Sequence, residues 1–231
     1  MAGLFSYDNK AIQFLSRLWD LFVLNLLFII GCIPVITAGV SAIAAYEVGL
    51  KIVEDADSGI VVPFFRAFKE NLRQGIILSV AYIVLIAALI LDFFLFEFSE
   101  GNPVYFLIIG ILSSVLVHVH FFYVFAIAAR YRNSLFRHVT NSRRIFVRYF
   151  GRSILCTLAV AAEIWIFFFN GWLLMFVGAF IAPVLVIVTK STFAIHLFKK
   201  IEAEGGSVSE RADISEPDEK SESENEDIPD D

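Results

Sequence analysis

The stretch LFVLNLLFIIGCIPVITAGVSAIAAY, residues 21–46, carries no charged side chain between Asp20 and Glu47. A bilayer core about 30 Å thick is crossed by roughly 20 apolar residues of helix, so this run is read as a membrane span. Pro34 stands in its middle. Proline has no N–H to donate and its ring crowds the preceding turn, so it kinks the helix or breaks it into two halves. Re-entry at Pro34 is the alternative, and it would move the N-terminus to the other side. A cleaved signal peptide fits less well, although the small residues of 38–45 suit a cleavage site. The apolar run is too long for a signal core, and Asp8 and Asp20 precede it together with Lys10 and Arg17.

Further uncharged runs lie outward from this one. GIILSVAYIVLIAALIL fills 75–91 and is extended beyond Asp92 by FFLF, and YFLIIGILSSVLVHVHFFYVFAIAA fills 105–129. The run from Arg152 to Lys190 is too long for one helix, and Asn170-Gly171 in its middle is a turn signal. The reading is therefore an all-α polytopic transmembrane helical bundle of about five spans: 21–46, 75–96, 105–129, 153–170 and 171–189. A chain that is 58% hydrophobic, with a mean hydropathy of +0.74, has more apolar surface than a soluble domain of 231 residues can hide.

Charge is divided between two regions. From Glu202 onward there are thirteen Asp/Glu and two Lys/Arg, whereas residues 1–201 hold sixteen Lys/Arg and eleven Asp/Glu. The first 201 residues form the transmembrane domain, and 202–231 are expected to be a disordered, acidic cytoplasmic tail. With five spans, the loops at 47–74 and 130–152 share a side with the C-terminus and carry most of the basic residues. Lys/Arg-rich loops stay in the cytoplasm, which places the C-terminus inside and the N-terminus outside.

Both loops are patterned. Pro63 can start a helix in which Phe64, Phe65, Phe68 and Leu72 recur on one face and Arg66, Lys69, Glu70 and Arg73 on the other. This is an interfacial amphipathic helix. Between 130 and 152, Arg130, Arg132, Arg137, Arg143, Arg144 and Arg148 alternate with aromatic residues. Such interleaving also occurs in nucleic-acid binders. Beside two spans it is assigned instead to topology, to anionic lipid or to docking of a cytoplasmic partner, and no nucleic-acid partner is expected.

Ionisable residues deep in a span are costly and serve as default functional candidates. Glu163 lies eleven residues past Arg152, about 16 Å along a helix. His118 and His120, counted back from Arg130, lie at comparable depth, so a Glu–His contact between spans is allowed, though only one histidine can make it. This pair is either a proton-coupled or substrate-binding site or a hydrogen-bonded lock between helices. Asp92 falls near an interface, and Asn25 is a helix-packing residue. Cys32 and Cys156 lie in apolar runs without metal-ligand spacing. No phosphate loop, HExxH or nucleophile elbow occurs, so neither an enzyme nor a cofactor is expected.

Three segments resemble one family. NLLFIIGCIPVITAG (25–39) with AIAAY (42–46), FFRAFKENLRQG (64–75) and ARYRNSLFRHVTNSRRIF (129–146) are similar to the opening signature and cytoplasmic segments of the YesL family, multi-pass bacterial membrane proteins with a domain of unknown function. The resemblance covers about 5–200. Asn25, Pro34, Thr37, Gly39, Phe68 and Asn71 occupy its motif positions, which implies roles in helix packing, a kink and close backbone approach. It also implies an accessory or regulatory role near carbohydrate uptake, with sugar permease subunits as partners. A secondary transporter using Glu163, or a structural or assembly protein, are the alternatives.

Overall fold

The computed structural model describes residues 10–54, 59–98 and 104–203. They form an all-α polytopic bundle, with no strand among the described residues. In chain order the helices are α1 (Lys10–Cys32), α2 (Ala38–Val53), α3 (Val61–Glu70), α4 (Leu72–Phe98), α5 (Val104–Phe121), α6 (Val124–Arg130), α7 (Leu135–Arg148), α8 (Phe150–Phe169) and α9 (Trp172–Ala203).

Six stretches, not five, are long and apolar enough to cross a membrane. The difference arises at Pro34. The run 21–46 is two helices joined by a single 3-10 turn, Val35–Thr37. Thr37 Oγ1 lies 2.7 Å from the carbonyls of Gly31 and Pro34, and Ser41 Oγ donates to the Phe28 carbonyl at 2.9 Å. These bonds fold α2 back along α1 and satisfy carbonyls that the break leaves open. Gly31 admits the reversal, since a Cβ there would stand 2.6 Å from Ser41 Oγ. The outside placement of the N-terminus rests on an odd number of spans, and six such stretches stand among the described residues.

α2 is the central helix. Ten of its sixteen residues are buried, against Gly110 alone among the eighteen of α5. It packs on α1, α3, α4, α6 and α9. Its approach to α4 is backbone to backbone: a Cβ on Gly75 would lie 2.7 Å from Val40 Cα, and one on Gly39 would lie 2.6 Å from the Gly75 carbonyl. Small residues at such crossings let dispersion replace the hydrophobic drive that lipid does not supply.

α9 contains Pro183, and here Asn25 enters the helix. Its amide nitrogen donates to the Phe180 carbonyl, and its oxygen accepts the Val184 N–H at 3.2 Å. Phe180 and Val184 are an i, i+4 pair, so the side chain spans a gap in the helical ladder beside the proline.

The interfacial helices form where expected, with altered faces. In α3 Pro63, Phe64 and Ala67 are buried, while Phe65 stays exposed. Leu72 belongs to α4, after a break at Asn71, whose side chain bonds the Ala67 carbonyl. α7 buries His138, Asn141, Ser142, Ile145 and Phe146. Ser142 Oγ accepts the Tyr123 N–H at 3.0 Å, which holds the break between α5 and α6. Asn170-Gly171 does turn the chain: Gly171 takes φ +124°, a backbone state that glycine reaches without strain. α9 runs on past 189 to Ala203, so Glu202 is helical rather than the first residue of a tail. The acidic segment from Glu204, like residues 55–58 of the turn ahead of α3, lies outside the described residues.

Candidate functional site

Three hairpins build the bundle. α1–α2 and α4–α5 both pack through α2, and α8–α9 closes the other side. α5 packs mainly on α4 and α7, and α8 on α9. Beyond His118, toward the loop-poor end, α5 and α8 show exposed apolar side chains: Leu112 and Val115 on one, Ile164 and Trp165 on the other. The open side between α5 and α8 holds the polar residues singled out in the sequence, in an arrangement different from the expected one.

Glu163 does not meet a histidine. Its Oε1 accepts the Thr189 hydroxyl of α9 at 2.5 Å, and its Oε2 is buried with no hydrogen-bond partner. His118 instead bridges α5 to α8 through Nε2 and the Thr157 hydroxyl, 3.1 Å apart. His120 turns back on its own helix and bonds the Leu116 carbonyl at 2.8 Å. The reason is reach. Thr157 lies six residues before Glu163, about 9 Å nearer the basic end, and it is the hydroxyl that faces His118.

The residue absent from the sequence reading is Lys190. Counted with the positive charges of the C-terminal side, it lies inside α9, next to Thr189. Its ammonium stands 4.3 Å from the Phe122 ring centroid and 6.0 Å from that of Tyr46. It forms no ion pair among the described residues. A cation on an aromatic face is stabilised by about 0.5–2 kcal/mol, less than a carboxylate supplies in low dielectric. The Phe122 ring also meets His118, centroid to centroid at 4.9 Å, so Lys190 and His118 share one aromatic floor. Glu163 is bonded by Thr189, the residue immediately before Lys190 in α9. Opposite charges thus converge on one neighbourhood without pairing. The sequence held one clue: Lys190 ends a run of 37 residues after Arg152 that holds no other Lys or Arg, and one helix past the Asn170 turn can carry it well inside the bundle.

A second charged group closes the basic end. Arg130 donates to Glu202 at 3.0 Å and to Glu54 at 3.2 Å, and Tyr131 donates to Glu202 at 2.7 Å. Arg132 pairs with Glu70, and Lys51 with Glu47 at 2.8 Å. Glu47, Lys51, Glu54, Glu70, Arg130 and Arg132 line an open pocket of about 290 Å³ in which the acids and bases neutralise one another. Arg130 and Arg132 thereby serve the fold. Arg66, Lys69 and Arg73 on α3 and α4, and Arg143 and Arg144 on α7, are exposed and make no ion pair among the described residues. Arg137 and Arg148 are engaged within the chain.

His138 is buried where α7 meets α4, its Nε2 facing the Gln74 amide. Burial pushes its imidazole down to about 4, against an opposing pull from the Asn133 backbone. It is therefore neutral at neutral pH and serves packing. Among the described residues no three His, Cys, Asp or Glu side chains gather as a metal site.

No curated protein and no solved structure matches this chain. A family model described as a protein of unknown function, DUF624, matches residues 21–93, so the segment from within α1 through most of α4, with Asn25, Pro34, the Gly39–Gly75 crossing and the basic face of α3, is similar to that family.

Proposed function

We propose that the protein is a non-catalytic accessory component of the bacterial plasma membrane, with its basic end in the cytoplasm and both termini on that side. With six crossings, the Lys/Arg of the loops fall on one side of the bundle, and the turns at 33–37, 99–103 and 170–171 hold none. Basic loops are retained in the cytoplasm, and this distribution supports the orientation.

The observation that carries the functional reading is the exposed, unpaired set Arg66, Lys69, Arg73, Arg143 and Arg144. Where arginines serve only the fold, as Arg130 and Arg132 do, acidic neighbours neutralise them. Unneutralised cations are held in place on α3, the start of α4 and α7. They suit anionic headgroups, worth about 1 kcal/mol per basic residue near such a surface, and an acidic face on a partner subunit. The resemblance to the YesL family directs the choice of partner to sugar permease subunits, and of process to carbohydrate uptake.

Purification of the tagged protein in mild detergent tests this reading. Permease or ATPase subunits are expected to co-purify and to be lost from an Arg143→Gln/Arg144→Gln variant that is present at normal levels. Recovery without partners, together with unchanged growth of a deletion strain across carbon sources, would refute it.

The unpaired Lys190 and Glu163 favour a second reading, a solute transporter. Unchanged uptake in a Glu163→Gln variant at normal protein levels removes its basis.

A further inference from the structure

Lys190 and Glu163 pose a problem that the docking reading leaves untouched. Each sits within a membrane-crossing helix, each lacks an ionic partner among the described residues, and they carry opposite charges. Hydrocarbon does not stabilise either group, and intramembrane charges of this kind are retained where they meet one another, a cavity or a ligand. Here Glu163 reaches Thr189, the neighbour of Lys190 in α9, without an ion pair between the two charges. Lys190 is partly exposed and lies on the Phe122 ring that it shares with His118.

A purely anionic ligand on Lys190 would bring a second negative charge beside Glu163, and a purely cationic one would do the converse at Lys190. A net-neutral group carrying both signs satisfies both and adds no net charge to the low-dielectric site. The anion needs a donor, which Lys190 supplies with three N–H groups, while Glu163 Oε2 needs an N–H donor. A primary ammonium provides one and a quaternary ammonium does not. We infer that the open side between α5, α8 and α9 binds a zwitterionic aminophosphate group, its phosphate on Lys190 and its primary ammonium on Glu163. Two sources share this chemistry: the headgroup of a phosphatidylethanolamine, whose chains would lie along the exposed apolar faces of Leu112 and Trp165, and free glycerophosphoethanolamine, the same phosphodiester without the chains, from water.

The test uses the full chain, delipidated in mild detergent, and the binding of chain-labelled phosphatidylethanolamine, phosphatidylcholine and phosphatidylglycerol. Phosphatidylethanolamine is expected to bind at least about tenfold more tightly than either of the others, a difference of about 1.4 kcal/mol. Lys190→Met and Glu163→Gln are each expected to abolish that preference. If Lys190→Met does not fold, Glu163→Gln decides alone, because glutamine keeps the contact with Thr189 while losing the charge. Displacement of the label by millimolar free glycerophosphoethanolamine would assign the soluble source, and resistance to displacement the lipid. Equal affinity for the three headgroups, or a preference that survives in Glu163→Gln, would overturn the inference. Neither outcome bears on partner recovery through Arg143 and Arg144, so this site and the docking face fail separately.

Discussion

Phe64, Tyr123, Ile127 and Phe198 are at most 1% exposed, whereas Ile108, Leu112, Trp165 and Phe176 in the same bundle leave 59% to 62% of their surface open. The first group sits toward the basic end, where α2, α3, α6, α7 and the second half of α9 meet. The second belongs to the outer halves of α5, α8 and α9. Water reaches the basic end, so each Å² of apolar surface left open there costs about 25 cal/mol, and the helices close into a core like that of a soluble domain. Lipid tails are as apolar as leucine, so that drive vanishes in the outer halves. Contact persists there where something other than hydrophobicity holds it, as at Asn25 on the α9 ladder or Thr189 on Glu163.

The comparison breaks most readily at glycine. Gly75→Leu would force atoms into the Val40 backbone, and loss of the folded, monodisperse protein in size-exclusion chromatography is the expected result. Gly110→Ala, whose new Cβ would find Asp92 at an ordinary 3.4 Å, and Gly151→Ala, which meets nothing within 4 Å, should leave it intact. Gly151→Ala, at an exposed helical position, is expected to raise stability by about 0.5–1 kcal/mol.

Asn25→Leu comes next. It removes both partners of the Phe180 carbonyl and the Val184 N–H at Pro183. An unsatisfied buried group costs about 1–3 kcal/mol, so a marked fall in the detergent melting temperature is expected. A melting temperature equal to that of the parent would show that α9 repairs its own ladder.

At the basic end His138 adds a pH dependence of known sign. Its folded value of about 4 lies below the ordinary histidine value of 6.5, so the unfolded chain takes up the proton first. Its contribution is complete above about pH 6.5 and is lost as pH falls toward 4. Melting scans across that window should show a slope that His138→Gln reduces. The ion pairs of Arg130 should matter least. A double-mutant cycle with Arg130→Gln and Glu202→Gln is expected to give a coupling of about 0.2–1 kcal/mol, reduced by salt.

Much of this molecule was legible in the sequence because lipid imposes a one-dimensional rule: uncharged runs of sufficient length become helices. That rule located α4, α5, α8 and α9, the turn at Asn170-Gly171, and the amphipathic α3 with its exposed arginines. The sequence also marked Pro34 as a break, Asn25 as a packing residue and Glu163 as out of place in hydrocarbon. It did not decide whether Pro34 bends the chain or reverses it. That depends on Thr37 and Ser41 finding carbonyls across the turn and on Gly31 leaving room. Nor did it decide what Glu163 faces, since depth along a helix fixes height but not direction. Tertiary packing turned Glu163 to Thr189, gave His118 to Thr157 and placed Lys190 on Phe122. The sequence by itself determined that this is a helical membrane protein with a basic end. Only the tertiary structure decided that two opposite charges would stand near one another inside it unpaired, because such a juxtaposition depends on how three helices rotate about their axes, which no run of residues encodes alone.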